Sequence, residues 1–189
     1  MSAIFISFVH EDELVAAAVK ALIEAELKLP EKVFLSGDKT LVYAGDRWLD
    51  KITLALKEAK LVVLMLSKRS VRRPWVNFEA GGAWLTDKTI IPCCYGNQRK
   101  DSLPHPYASI HALDLKGEAH FMLQSIHHQL GLTTAKPESP FDKAIQEYAR
   151  KKKREEEGTK PSLAEALSEE ISNRYKGLQR ALEEFKDEE

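Results

Sequence analysis

The chain is 189 residues long, 43% of them hydrophobic and 30% charged, which suits one well-cored domain with something added and excludes disorder over most of its length. A formal net charge of -1 supplies no global pull toward nucleic acid or an anionic membrane. No apolar run approaches a membrane span and no basic leader precedes the first apolar stretch, so a cytoplasmic protein is expected. Cys93 and Cys94 are adjacent in a predicted strand, where alternation sends them to opposite faces and disfavours a bridge. Reduced, structural thiols are the expectation.

Ala3 to Phe8 reads as a buried first strand, and His10-Glu-Asp-Glu13 opens a helix whose Leu14, Ala18, Leu22 and Ile23 recur at helical spacing. Pro30 closes the following turn, Val33 to Leu35 is a short second strand, and Gly37 to Gly45 is a loop rich in turn formers. Asp46 is placed to cap a second helix with Leu49, Ile52, Leu56 and Ala59 on one face. Leu61 to Leu66 is apolar on both faces, as a central parallel strand requires. A third helix starts at Pro74, followed by a strand over Thr89 to Tyr95 and a polar loop to Pro106. A short fifth strand over Ile110 to Leu115 and a closing helix from Gly117 to Leu130, stopped by Gly131, complete the pattern.

Strand and helix alternating through short connections predict an α/β fold, a flavodoxin-like five-stranded parallel sheet with helices on both faces, over residues 1–132. Residues 133–189 are expected to form a C-terminal helical extension, joined through a turn-rich linker at 133–140. In the extension, Ser162 and Glu165 make a capping-box pattern, and Leu163, Leu167, Ile171, Tyr175, Leu178, Leu182 and Phe185 form an apolar stripe. That stripe needs a partner, either the domain itself or another copy.

Chemistry concentrates in Trp75-Val-Asn-Phe-Glu79, which sets one acid a helical turn beyond a large aromatic ring in the opening turns of the third helix. On a wheel of about 100° per residue, Phe78, Gly81, Gly82 and Leu85 share an arc expected to face the sheet. Trp75 falls at its margin and Glu79 about 40° beyond it, at the rim of the core. Burial raises a carboxylate pKa there and the helix dipole lowers it, leaving the net shift open. A glutamate near a helix start also has the plain role of supporting its helix. The surroundings add meaning: the carboxyl ends of the strands supply Phe8, Ser36 and Ser67, and parallel sheets bind ligands at those ends.

Several other readings fail on the residues. The glycine fingerprint of dinucleotide-binding dehydrogenases is absent, and Ser36-Gly-Asp-Lys-Thr40 lacks the glycine spacing of a phosphate-binding loop. A phospho-receiver would use Glu11 and Asp12, but the third strand ends in Leu66-Ser67, where the phosphoacceptor aspartate would be required. His127-His128 and the other histidines show no metal-ligand spacing joined to carboxylates, so no metal is expected. Arg150 to Arg154 is followed at once by Glu155 to Glu157, which pairs the charges along a solvated helix and argues against nucleic acid.

Over residues 3 to 131 the chain resembles a Toll/interleukin-1 receptor (TIR) domain of the bacterial, stand-alone kind. Ile4-Phe-Ile-Ser-Phe-Val-His-Glu-Asp12 resembles the family's opening strand. Ser36-Gly-Asp38 through Ala44-Gly-Asp-Arg-Trp48 resembles the loop after the second strand, and Val63-Leu-Met-Leu-Ser67 with Trp75-Val-Asn-Phe-Glu79 resembles the third strand and its Trp-x-x-x-Glu site.

Many TIR domains cleave NAD+ at the nicotinamide-ribose bond through the glutamate of this motif, so the resemblance implies an NAD+ glycohydrolase or ADP-ribosyl cyclase with Glu79 catalytic and NAD+ as substrate, with no separate cofactor. It further makes Phe8, Trp48 and Trp75 candidates for stacking on a base, and Ser7, Ser36, Asp38, Gly45 and Arg47 candidates to contact ribose or phosphate. Core packing is the competing role of all three aromatics. The family implies self-association through TIR domains, with Gly37 to Trp48 serving a neighbour's site, and anti-phage defence in which a nucleotide product signals to a separate effector. Two alternatives stay open: a non-catalytic TIR adaptor, and a nucleoside deoxyribosyltransferase-like enzyme whose similar sheet also uses a glutamate on an N-glycosidic bond.

Overall fold

The computed structural model describes residues 2–29, 32–37, 48–134, 136–137, 173 and 175–180. Five strands, β1 (Ser2–Ser7), β2 (Lys32–Leu35), β3 (Leu61–Leu66), β4 (Thr89–Cys94) and β5 (Leu113–Asp114), form one sheet in the order β2-β1-β3-β4-β5. Every pairing is parallel. The helices α1 (Glu13–Leu27), α2 (Trp48–Glu58), α3 (Pro74–Leu85) and α4 (Leu115–Gln129) connect or follow the strands. The fold is the flavodoxin-like α/β layout that strand and helix alternation predicts.

Strand alternation divides the core into two layers. Ile4, Ile6, Val63, Met65 and Cys93 face one way and pack against α1 and α4 residues such as Val15, Val19, Leu123 and Ile126. Phe5, Val62, Leu64, Leu66 and Cys94 face the other way, against Ile52, Leu56, Val76 and Ala83 of α2 and α3. The two cysteines thus belong to opposite layers, buried and unbridged. Tyr175 and Leu178, from the C-terminal stripe, are buried in the α1/α4 layer. The rest of that stripe, like Asp46, lies outside the described residues.

Three helix faces differ from the expected ones. In α1, Leu14 is exposed and the buried stripe is Val15, Ala16, Val19, Leu22, Ile23 and Leu27. Leu49 at the start of α2 is also exposed, while Ile52, Leu56 and Ala59 are buried. The largest correction concerns α3: Phe78 and Leu85 point to solvent, Gly81 and Gly82 are half-buried, and the residues against the sheet are Val76, Glu79, Ala80 and Ala83. The reason is volume. The sheet face beneath already carries Phe5, Leu64 and Leu66 with Leu56 beside them, so at interior packing density α3 can seat closely only through small side chains.

Strand lengths shift modestly. Phe8 and Tyr95 lie just past β1 and β4, and β5 keeps only Leu113–Asp114 of the longer run expected. At the start of α4, Asp114 accepts from Lys116 N at 3.0 Å and Glu118 accepts from Asp114 N at 2.8 Å, a reciprocal cap that begins the helix before Gly117. Gly131 takes φ +60 just after it, the left-handed stop that glycine allows.

Candidate functional site

Ser7 is two residues beyond Phe5 and shares its face, so the end of β1 turns a hydroxyl toward α3. There it donates a short hydrogen bond to Glu79 Oε2. Glu79 is fully buried, on the same stripe as Val76 and Ala83. The expected rim position was too shallow, and the corrected wheel explains why: an arc centred between Val76 and Ala83 includes residue 79.

Burying a carboxylate with few donors penalises its charged form. Desolvation accordingly raises the Glu79 pKa from its ordinary 4.5 to about 7, against opposing contributions from Ser7, Trp75 and Ser36. No cation among the described residues contributes to that balance. Glu79 Oε1 has no hydrogen-bond partner among the described residues. The outcome is one buried acid, divided near neutrality between its two protonation states, with one oxygen bonded to Ser7 and the other buried without a hydrogen-bond partner among the described residues.

Ser36, just past β2, is buried beside this pair. Its N–H donates to Ile6 O at 3.0 Å and its Oγ accepts from Phe8 N at 3.3 Å, locking the ends of β1 and β2 together. Trp75 is half-buried at the opening of α3, its ring stacked on Phe78 with centroids 5.4 Å apart and planes at 25°. Ser7, Ser36, Trp75 and Glu79 therefore gather at one point on the carboxyl edge of the sheet. Phe8 is placed differently: its ring is buried in the α1/α4 layer and lies over Gly37, where a Cβ would approach Phe8 Cζ to 2.6 Å. Trp48 begins α2. Asp38, Gly45 and Arg47 lie outside the described residues.

A second polar cluster at the same edge was not singled out from the sequence. Asp12 is buried and accepts from Ser67 Oγ at 3.1 Å and, through a short bond, from Tyr95 OH. It thereby ties the segment after β1 to the ends of β3 and β4. Ser67 N donates to Ser70 Oγ at 2.7 Å and Ser70 Oγ to Met65 O at 2.8 Å, which fixes the turn leading into α3. Outside it, Arg73 Nη2 meets Glu11 Oε1 at 2.6 Å. These contacts hold the start of α3, and with it Glu79, against the end of β1. A signal existed: with the α1 stripe read as Val15, Ala16, Val19 and Leu22, Asp12 falls on the same buried face, three residues before Val15.

A sequence profile of the TIR domain family matches residues 4–130, which is more than half of the chain and includes the sheet, the Ser7–Glu79 pair and α4. The chain belongs to the TIR domain family. Among solved structures it is similar to a metazoan TIR-STING receptor from C. gigas, determined in complex with 2',3'-cGAMP, at 18% identity and a TM-score of 0.50. That match covers 67% of this chain and only 39% of the receptor, and at such identity it speaks for the fold alone. No curated protein sequence matches. Among the described residues no helix is long and apolar enough to cross a membrane.

Proposed function

We propose that this TIR domain cleaves NAD+ at the nicotinamide-ribose bond, with Glu79 as the catalytic residue. The observation that carries the reading is a lone carboxylate, buried at the carboxyl edge of the sheet, bonded through one oxygen to Ser7 and left without a hydrogen-bond partner among the described residues at the other. In this reaction the C1'–N bond breaks with its electron pair going to nicotinamide, which departs as a neutral pyridine and needs no general acid. One carboxylate therefore suffices. Glycosidases that expel an alkoxide require a second, protonating carboxyl group. Ionised Glu79 engages the ribose hydroxyls through Oε1 and offsets the positive charge that develops on the ribosyl cation, in a site dry enough to strengthen that attraction.

Capture of the cation by water gives ADP-ribose and a proton. Capture by an adenine nitrogen or a ribose hydroxyl gives a cyclic product, and capture by another nucleophile gives a conjugate. Ser7 and Ser36 are placed to orient ribose or phosphate beside Glu79, Trp75 to stack on a base, and Phe8 to shape the wall from behind. Asp38, Gly45, Arg47 and Trp48 are assigned to the same substrate by family resemblance. NAD+ is here a substrate, with no cofactor or metal required. In this proposal residues 1–132 carry the chemistry and 133–189 form the helical extension. Self-association through TIR domains completes the site in the cytoplasm, and the product informs a separate effector in anti-phage defence.

The test is chromatography of products after incubating concentrated protein with NAD+, for wild type and Glu79→Gln. Nicotinamide release by wild type and a loss of at least about 100-fold in the variant are expected, the scale of removing one transition-state electrostatic partner. Full turnover by the variant would reject Glu79. Inert NAD+ together with base exchange on deoxynucleosides would favour the transferase, and inertness toward both would leave the adaptor.

A further inference from the structure

Outside the Glu79 site, α3 and the segment that crosses from β4 to β5 enclose a cavity of about 610 Å³, within the range of small-molecule clefts. Its floor is buried: Leu64 of β3, Val71 and Tyr107. Asn77, Gly81 and Trp84 form the α3 wall, with Pro104 and Pro106 from the crossing segment also in the lining. Ser7, Trp75 and Glu79 are not among the lining residues, so this space is separate from the carboxylate. Gly81 bears on its use. A Cβ built there meets nothing within 4 Å, and nothing inside the described fold calls for glycine, a poor helix former, at that position. Gly82 differs, because its Cβ would stand 3.1 Å from Leu56 Cδ2 and packing on α2 explains it. Glycine without internal need is accounted for where a ligand must come close to the backbone.

The lining decides the chemistry of the occupant. Among its described residues there is no Lys, Arg, Asp or Glu, and His105 alone can take up a positive charge. A multiply charged molecule, a dinucleotide included, would lose its hydration there with nothing to replace it. Apolar surface dominates instead: Trp84 is 49% exposed and Leu85, which also lines the space, 85%, so an apolar molecule seated there takes an indole face and a leucine out of water. One polar contact is fixed in advance. The buried Tyr107 OH donates a short hydrogen bond to Asn77 Oδ1, which sets the orientation of that amide and leaves Nδ2 as a donor for a ligand. A mostly apolar wall with a single oriented donor is the pattern that holds a flat, uncharged ring carrying one acceptor atom.

We propose that this cavity binds a neutral aromatic molecule of one or two rings, stacked on Trp84 and accepting a hydrogen bond from Asn77 Nδ2. The proposal does not depend on the NAD+ reading. It is tested on the full chain by heteronuclear NMR titration with quinoline and with acetophenone, each an uncharged aromatic bearing one acceptor. The Trp84 indole N–H and Asn77 side-chain amide signals shift saturably, while the Trp75 indole signal stays in place. Gly81→Leu, whose Cβ has free space in the empty fold, keeps its circular dichroism spectrum, fills the cavity and weakens binding by at least about 10-fold, the scale of forcing extra methylenes into an occupied space. Asn77→Asp keeps an acceptor for Tyr107 but loses the donor, and weakens binding by about 10-fold, one net hydrogen bond. Phe121→Glu on exposed α4 leaves binding unchanged. Absence of a saturable Trp84 shift with both probes overturns the proposal, as does binding that Gly81→Leu leaves intact. A Trp84 signal that follows protein concentration and ignores the probes also overturns it, since another protein molecule then covers the cavity.

Discussion

Replacing Glu79 by glutamine tests the burial of the carboxylate through stability, apart from any activity. The acid's pKa is raised from 4.5 to about 7 in the folded protein, with burial as the leading cause. Below pH 4.5 both folded and unfolded chains hold the proton, and the group contributes no pH-dependent term. Between pH 4.5 and 7 the unfolded chain ionises first, so the folded state binds more protons and wild-type stability falls as pH rises. Above pH 7 the penalty is complete, about 3 kcal/mol at 1.36 kcal/mol per pH unit. Glutamine resembles the protonated acid and does not titrate. Whatever its amide costs beside Ser7 is independent of pH, so that cost cancels in the difference between high and low pH. Urea unfolding of both proteins at pH 4 and pH 8 should therefore show Glu79→Gln gaining about 3 kcal/mol on wild type between the two, equivalent to roughly 6–12 °C in Tm for a chain of this size. A difference independent of pH would mean that Glu79 titrates as a solvated acid, and the burial argument for the site would fail with it.

Three further outcomes follow from the same contacts. Ser7→Ala removes a hydrogen bond that lowers the Glu79 pKa, so in the proposed reaction the rising limb of nicotinamide release against pH, expected near 7 in wild type, should move to higher pH and activity should recover in alkaline buffer. An unmoved limb would dissociate Ser7 from the titration. Gly37→Ala forces a Cβ to within 2.6 Å of Phe8 Cζ and should cost about 1–3 kcal/mol in denaturant unfolding, largely relieved when combined with Phe8→Leu; additive effects would show that the ring is not the obstacle. Tyr95→Phe removes one donor from buried Asp12 and should cost about 1.5–3 kcal/mol, whereas a neutral result would deny Asp12 its place in joining the strand ends.

The sequence by itself determined the order and type of the elements, because period-two and period-3.6 patterns and turn residues are local properties of the chain. Leu61 to Leu66, a six-residue run apolar on both faces, suited a central parallel strand, and the Trp75 to Glu79 spacing marked the candidate site before any contact was known. Which side of α3 meets the sheet was decided only in the tertiary structure. Hydrophobicity favoured Phe78 and Leu85 inward, but the space left by Phe5, Leu64, Leu66 and Leu56 admits only Val76, Ala80 and Ala83. Rotating the helix to satisfy that volume carried Glu79 from the rim into the interior, exposed an apolar face, and raised the carboxylate's pKa toward neutrality. The Asp12–Ser67–Tyr95 contacts were settled in the same way, since their members are 55 and 83 residues apart in the chain and only the parallel sheet brings the ends of β1, β3 and β4 side by side.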